Sequence, residues 1–105
     1  VWELAEASKI RVTLYAGSVP NSPEARAICK CLGIDPLRLL SSGSLLIAAK
    51  QPHAKRIISA LSRRGIPAAE IGELTSKRYG RKMVAANGSE SELKPPFPDE
   101  IYGVV

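Results

Sequence analysis

The residues best suited to binding chemistry in this 105-residue chain are four consecutive small ones, Ser41, Ser42, Gly43 and Ser44. Their hydroxyls and backbone amides can form hydrogen bonds with an anionic ligand. Because no side chain extends beyond a hydroxymethyl group, a ligand or another backbone can approach closely. The loop is therefore predicted to line a substrate cleft, although a tight entry to a buried strand requires the same small residues.

A second candidate is the cationic segment 77–82, which holds four lysines and arginines in six residues. In a loop between two strands, Lys77, Arg78 and Arg81 could contact phosphate groups. A solvated basic turn is the alternative interpretation, and it is the more common use of such a segment on a basic domain.

The remaining polar residues do not form a catalytic set. His53 is the single histidine, and its place on the polar face of a predicted helix favours a surface position. The sequence contains neither a carboxylate cluster for magnesium nor a glycine-rich phosphate loop ending in lysine. We therefore predict no catalytic residue and no metal site in this chain, and no activity for the chain alone.

The two cysteines, Cys29 and Cys31, fall two positions apart on a predicted helix and so point to different faces. They are not placed to chelate one metal or to pair with each other. We expect Cys29 to pack in the core and Cys31 to be partly exposed. Two unpaired thiols indicate a reducing compartment, and we expect a cytoplasmic protein.

The composition is that of a soluble globular domain, with 45% hydrophobic and 24% charged residues. The apolar run 45–49 is too short to cross a membrane, and no secretory signal opens the chain. The net charge of +5 is compatible with anionic partners. The cations do not form a stripe interleaved with aromatic residues, however, which argues against a nucleic-acid partner.

Two amphipathic helices can be read directly from the sequence. The first has Ser22 as its N-cap and Gly33 as its C-terminal glycine. Asp35 caps a short helical turn that follows. The second helix begins at Pro52 and ends at Gly65. Apolar residues at helical spacing form one face of each helix, at Ala25, Ile28, Cys29 and Leu32 and at Ala54, Ile57, Ile58 and Leu61.

Four strands are predicted around these helices. Residues 10–15 alternate between apolar and polar, whereas 45–49 are apolar throughout and predict a central strand covered on both faces. Residues 68–74 and 82–86 read as a hairpin joined by 75–81, with Gly80 in its turn. Asn87-Gly88 is a turn signal, and the Pro-rich residues 89–105 read as an extended tail.

Together these elements predict an α+β fold, a two-layer domain with a mixed sheet of about four strands and amphipathic helices packed on it. The chain reads as a single domain over 1–105. No capping residue precedes the helix at 1–8, so we expect it to be the end of a longer helix in a longer protein.

The order of these motifs resembles the C-terminal domain of the aminoimidazole ribonucleotide (AIR) synthase superfamily. The resemblance rests on Asp35-Pro36-Leu37, on the small and apolar residues 42–47, on the helix after them, and on the sequence AEIGE at 69–73. It implies an ATP-dependent enzyme of two domains that activates an amide or carbonyl oxygen by phosphorylation. In this family an N-terminal domain, absent from this chain, carries most ligands for ATP and magnesium and forms a homodimer. The C-terminal domain packs beside it and closes the cleft.

Within the superfamily, residues 23–37 are most similar to the [NiFe]-hydrogenase maturation branch. Enzymes of that branch end in a cysteine that carries the substrate carbamoyl group, whereas residues 101–105 here read IYGVV. The chain has either lost that end or belongs to a relative without that chemistry. Two other functions stay open at this point: a noncatalytic interaction domain, and a small basic nucleic-acid-binding module whose affinity would fall steeply with salt.

Overall fold

The structure is a computed structural model that describes residues 1–38, 43–76 and 80–95. These residues form three α-helices and four β-strands. They are α1 (Trp2–Ser8), β1 (Arg11–Tyr15), α2 (Pro23–Leu32), α3 (Gln51–Arg63), β2 (Gly72–Thr75), β3 (Gly80–Val84) and β4 (Glu90–Glu92), with short 3-10 turns at Ala16–Ser18 and Pro36–Arg38.

The four strands form one mixed sheet in the order β2-β1-β3-β4. The central strand β1 runs antiparallel to β2 and parallel to β3, so that Leu14 is flanked by Gly72 on one side and Met83 on the other. Strand β4 pairs antiparallel with the far edge of β3. The predicted α+β class with a mixed four-stranded sheet is confirmed.

The core is small and lies where α1 covers β1 and β3. Ala5 of α1 is fully buried, and the alternation of β1 places Val12 and Leu14 on the same covered face. Cys29 of α2 is the fourth buried apolar residue in the described part of the chain. Its neighbour Cys31 is exposed, so the predicted division between the two cysteines is confirmed.

The predicted helix ends are correct because capping is decided by neighbouring residues. The Ser22 hydroxyl accepts a hydrogen bond from the Ala25 amide at 3.1 Å, and Gly33 ends α2 in the left-handed conformation. The Asp35 carboxylate accepts from the Leu37 amide at 2.9 Å. Helix α3 begins at Gln51, one residue before the predicted Pro52, and is followed by Gly65 with φ of 73°.

The apolar residues of the helices lie on the predicted faces, but other parts of the described chain cover these faces only partly. The stripe on α3 coincides with the half-buried positions of that helix, none of which is fully buried. On α2, Cys29 is buried and Ala25 half-buried, whereas Ile28 and Leu32 are exposed. The predicted apolar face of α2 is therefore wrong at its last turn, because no described element covers that side.

The predicted hairpin between 68–74 and 82–86 is wrong. Strand β1 lies between β2 and β3, and β3 pairs with β1 in parallel. The hairpin in the structure joins β3 to β4 instead, through the predicted Asn87-Gly88 turn. Gly88 has φ of 87°, and the Asn87 side chain accepts a hydrogen bond from the Ser89 amide at 3.0 Å.

Part of the predicted tail is thus an edge strand. Strand β4 reads Glu-Ser-Glu and is exposed throughout, so it carries no apolar alternation that could have predicted it. Its backbone pairs with β3, and Lys82 forms an ion pair with Glu90 at 2.8 Å. Charged side chains on an edge strand also discourage pairing with a further strand.

Candidate functional site

The predicted cleft loop is described from its third residue onward. Gly43 and Ser44 are exposed, and Ser41 and Ser42 lie outside the described residues. Gly43 has φ of 83°, and a Cβ added there would meet no atom within 4 Å. Glycine is therefore required here by its backbone conformation and not by crowding.

The apolar run that follows the loop is not a strand. Residues 44–50 have no regular secondary structure, and every one of them is exposed. The exposed fraction is 84% for Leu45, 45% for Leu46 and 48% for Ile47. The prediction of a central strand covered on both faces is wrong, because the described sheet provides no neighbour for this run and no layer above it.

We call Leu45, Leu46 and Ile47 the apolar segment. Three adjacent large apolar side chains in water are unfavourable by roughly 25 cal/mol for each Å² of apolar surface. Exposed patches of this kind commonly mark interaction sites. The small-residue loop therefore leads directly into a surface suited to contact with another structure.

Of the three cationic candidates, Arg81 is the one that falls within the described residues. Lys77 and Arg78 lie outside the described residues. Arg81 lies on β3, and its side chain is only 19% exposed. Its guanidinium contacts the carboxylate of Glu6 at 2.7 Å, that of Glu92 at 3.7 Å, and the ring of Trp2 with 4.9 Å to the centroid. Two carboxylates and an aromatic face engage its charge, which favours a structural role over a phosphate contact.

An open groove that the sequence did not predict lies at the carboxyl ends of the parallel strands β1 and β3. It has a volume of about 340 Å³ and is lined by Tyr15, Gly17, Ser18, Val84, Ala85 and Ala86. A Cβ added to Gly17 would come within 3.3 Å of the Ala86 Cβ, so glycine permits the close approach of these two loops. The only signal in the sequence was the small residues after each strand.

The side chains that could ligate a metal ion are dispersed over the described residues. His53 is exposed on α3, as predicted. Across residues 1–38, 43–76 and 80–95, His, Cys, Asp and Glu side chains do not gather in threes that could hold a metal ion. Within the same ranges, none of the helices has the length and apolarity to traverse a bilayer. The features available for function are surfaces: the small-residue loop, the apolar segment and the groove.

Comparison with known proteins points to one family. Over 80 residues, covering 74% of this chain, it is 35% identical to a putative hydrogenase expression/formation protein of Methanocaldococcus jannaschii. Over 103 residues, covering 96% of this chain, it is 30% identical to the carbamoyl dehydratase HypE of Escherichia coli. A crystal structure of Escherichia coli HypE, a hydrogenase maturation protein, superimposes with a TM-score of 0.82 over 94% of this chain at 30% identity.

The chain spans only 24% and 30% of the length of these two relatives, and 31% of the crystallised chain. The model of the AIR synthase related protein C-terminal domain matches residues 1–84, which include all three helices and strands β1 to β3. The mixed sheet and the similarity to HypE agree with that match. The chain belongs to the family of AIR synthase related protein C-terminal domains, and within it resembles the hydrogenase maturation proteins.

Proposed function

We propose that this chain is the cleft-closing domain of an ATP-dependent enzyme that removes water from a carbamoyl group. Its similarity to carbamoyl dehydratases supports the reaction class. The observation that carries the proposal is the exposed apolar segment directly after Gly43 and Ser44. Covered by another domain, this segment would bring the small-residue loop to the boundary between the two domains.

The proposed reaction requires activation of the carbamoyl oxygen, because an amide oxygen is a poor leaving group. Transfer of the terminal phosphoryl group of ATP to the carbamoyl oxygen forms a C–O–P linkage and releases ADP. The C–O bond then breaks, phosphate departs with its electron pair, and loss of the remaining N–H protons leaves a carbon–nitrogen triple bond. This sequence loses the elements of water and consumes one ATP.

The described residues do not fit a magnesium site, since they contain no cluster of carboxylates. We propose that ATP and magnesium are held by an N-terminal domain of the same protein, which also forms a homodimer. The role of this chain is then to position and enclose the substrate. The backbone amides and hydroxyls of residues 41–44 can donate hydrogen bonds to it, and the apolar segment can exclude water by packing on the neighbouring domain.

Serine substitutions in the full-length protein test this role. Ser42→Ala and Ser44→Ala each remove one hydroxyl at the proposed cleft, and we expect turnover to fall about tenfold or more for a lost transition-state contact. The loss of turnover should exceed what any change in stability explains, because Ser44 is exposed. Ser91→Ala on the exposed strand β4 is the matched control and should retain wild-type kinetics.

The companion variant Gly43→Val separates structure from function. A β-branched residue at φ of 83° is strained, so the expected loss of stability is about 1–3 kcal/mol. Wild-type kinetics in both serine variants, together with a destabilised Gly43→Val protein, would show that the loop is structural and is no part of the cleft.

A further inference from the structure

Helix α3 lies in a stretch of the chain with a one-sided charge. Between Asp35 and Glu70 the sequence has no acidic residue, although the whole chain contains ten. The same stretch holds six cations: Arg38, Lys50, Lys55, Arg56, Arg63 and Arg64. The net charge of +5 is therefore concentrated around this helix.

Three of these cations share one side of α3. At about 100° per residue, Lys55, Arg56 and Arg63 fall within about 100° of arc, opposite the half-buried apolar stripe. All three are exposed, and so is Ser59 between them. We call Lys55, Arg56 and Arg63 the basic face. In the described part of the chain, no carboxylate forms an ion pair with any of the three.

Helix stability does not explain this arrangement. Lys50 occupies the N-cap without a side-chain capping bond, and the first turn has no acidic residue. Lys55 and Arg56 lie beyond the first turn of α3, where the helix dipole has little effect on a charge. Of the basic face, only Arg63 is in the last turn, where a cation is favourable. Neither capping nor the dipole accounts for Lys55 and Arg56, and exposed cations that form no ion pair within the described residues are available to a partner surface.

We infer that the basic face of α3 docks an acidic protein surface. This goes beyond the proposed reaction, which uses the loop and the apolar segment, and it does not rest on that reaction. Charge complementarity gives the sign of the partner surface, and a helix presents its charges at fixed spacing.

Two other anionic partners fit the observations less well. A membrane-bound amphipathic helix inserts its apolar face, but the apolar stripe of α3 is turned from the cations and is already half-buried. Single-stranded nucleic acid is bound with aromatic stacking, and α3 has no aromatic residue except the exposed His53. Carboxylates on a folded protein remain the best match for three rigidly spaced cations.

The first test places a photoreactive amino acid, p-benzoylphenylalanine, at Ser59 of the full-length protein in the cells that make it. We expect irradiation to link this site to a second polypeptide through a segment rich in Asp and Glu. Crosslinks confined to the same polypeptide, to lipid or to nucleic acid would overturn the inference, and so would the absence of any crosslink.

The second test uses the purified crosslinked partner and charge reversal. Lys55→Glu with Arg56→Glu should weaken its Kd at least about tenfold, and added salt should weaken wild-type binding in the same direction. The variant should melt close to wild type, because both side chains are exposed. Arg26→Glu with Lys30→Glu on α2 changes the charge equally and should bind normally. Equal losses of affinity in both variants would show that only the net charge matters. That result would contradict a defined basic face.

Discussion

Gly72 shows how one residue fixes the pairing of the sheet. It lies opposite Leu14 in the β1–β2 ladder, and a Cβ built on it would collide with the carbonyl oxygen of Thr13. The same Cβ would lie 3.2 Å from the Leu14 Cα. Since these are backbone atoms, the neighbour cannot give way by rotating a side chain, and the strands would have to separate.

We therefore expect Gly72→Ala to destabilise the protein by about 1–3 kcal/mol, the range for overpacking in a well-packed region. Gly80→Ala is the matched control, since its Cβ would meet the Arg11 side chain at an ordinary 3.7 Å. Chemical denaturation of both variants measures the difference. Equal stability of the two variants would contradict the close backbone approach at Gly72.

Arg81, the cationic candidate within the described residues, connects two other elements to its own strand. It links β3 to α1 through Glu6 and Trp2 and to β4 through Glu92. The local sequence indicated a phosphate contact or a basic turn and not these ion pairs, because Glu6 is 75 positions before Arg81 and Glu92 is 11 after it. Long-range partners of this kind leave no trace in a short window of sequence.

We expect Arg81→Gln to lower the free energy of unfolding by about 1–2 kcal/mol, through loss of a charged hydrogen bond and a cation–π contact. The KM for ATP of the full-length protein should not change. Lys82→Gln, which loses one exposed ion pair, should be close to neutral. A raised KM for ATP with normal stability in Arg81→Gln would instead support the phosphate contact.

At the scale of elements, caps and periodicity predicted individual helices and strands better than they predicted which strands pair. Helices α2 and α3 and strand β1 follow from caps and periodicity, which depend on neighbouring residues. The order of β2, β1 and β3 depends on contacts between residues more than 50 positions apart. An apolar run such as 45–49 indicates that burying its side chains is favourable. It does not indicate which element covers them.

The cap of α2 gives a test at this scale. Ser22→Ala removes the hydroxyl that accepts from the Ala25 amide, and we expect a loss of about 1 kcal/mol. Ser62→Ala on the exposed side of α3 makes the same chemical change without a cap and should be neutral or slightly stabilising. Thermal unfolding of the two variants would contradict the capping role if their midpoints coincided.

At the scale of the whole molecule, the described residues leave several large apolar side chains exposed to water while burying only a small core. The apolar segment, together with Ile28 and Leu32 of α2, is exposed, while the buried core consists of Ala5, Val12, Leu14 and Cys29. The relatives it matches are three to four times longer. These exposed side chains indicate a domain that packs against another surface. The sequence indicated the apolar residues themselves, but which surface covers them depends on contacts that a local pattern does not encode.

The most direct test of this account is phosphate release from ATP in the presence of magnesium and a carbamoyl-bearing substrate. We predict release that depends on the carbamoyl group in the full-length protein, and none above background from residues 1–105 alone. Release by residues 1–105 alone would contradict the assignment of ATP binding to another domain. A full-length protein that consumes no ATP on adding the carbamoyl substrate would contradict the proposed reaction itself.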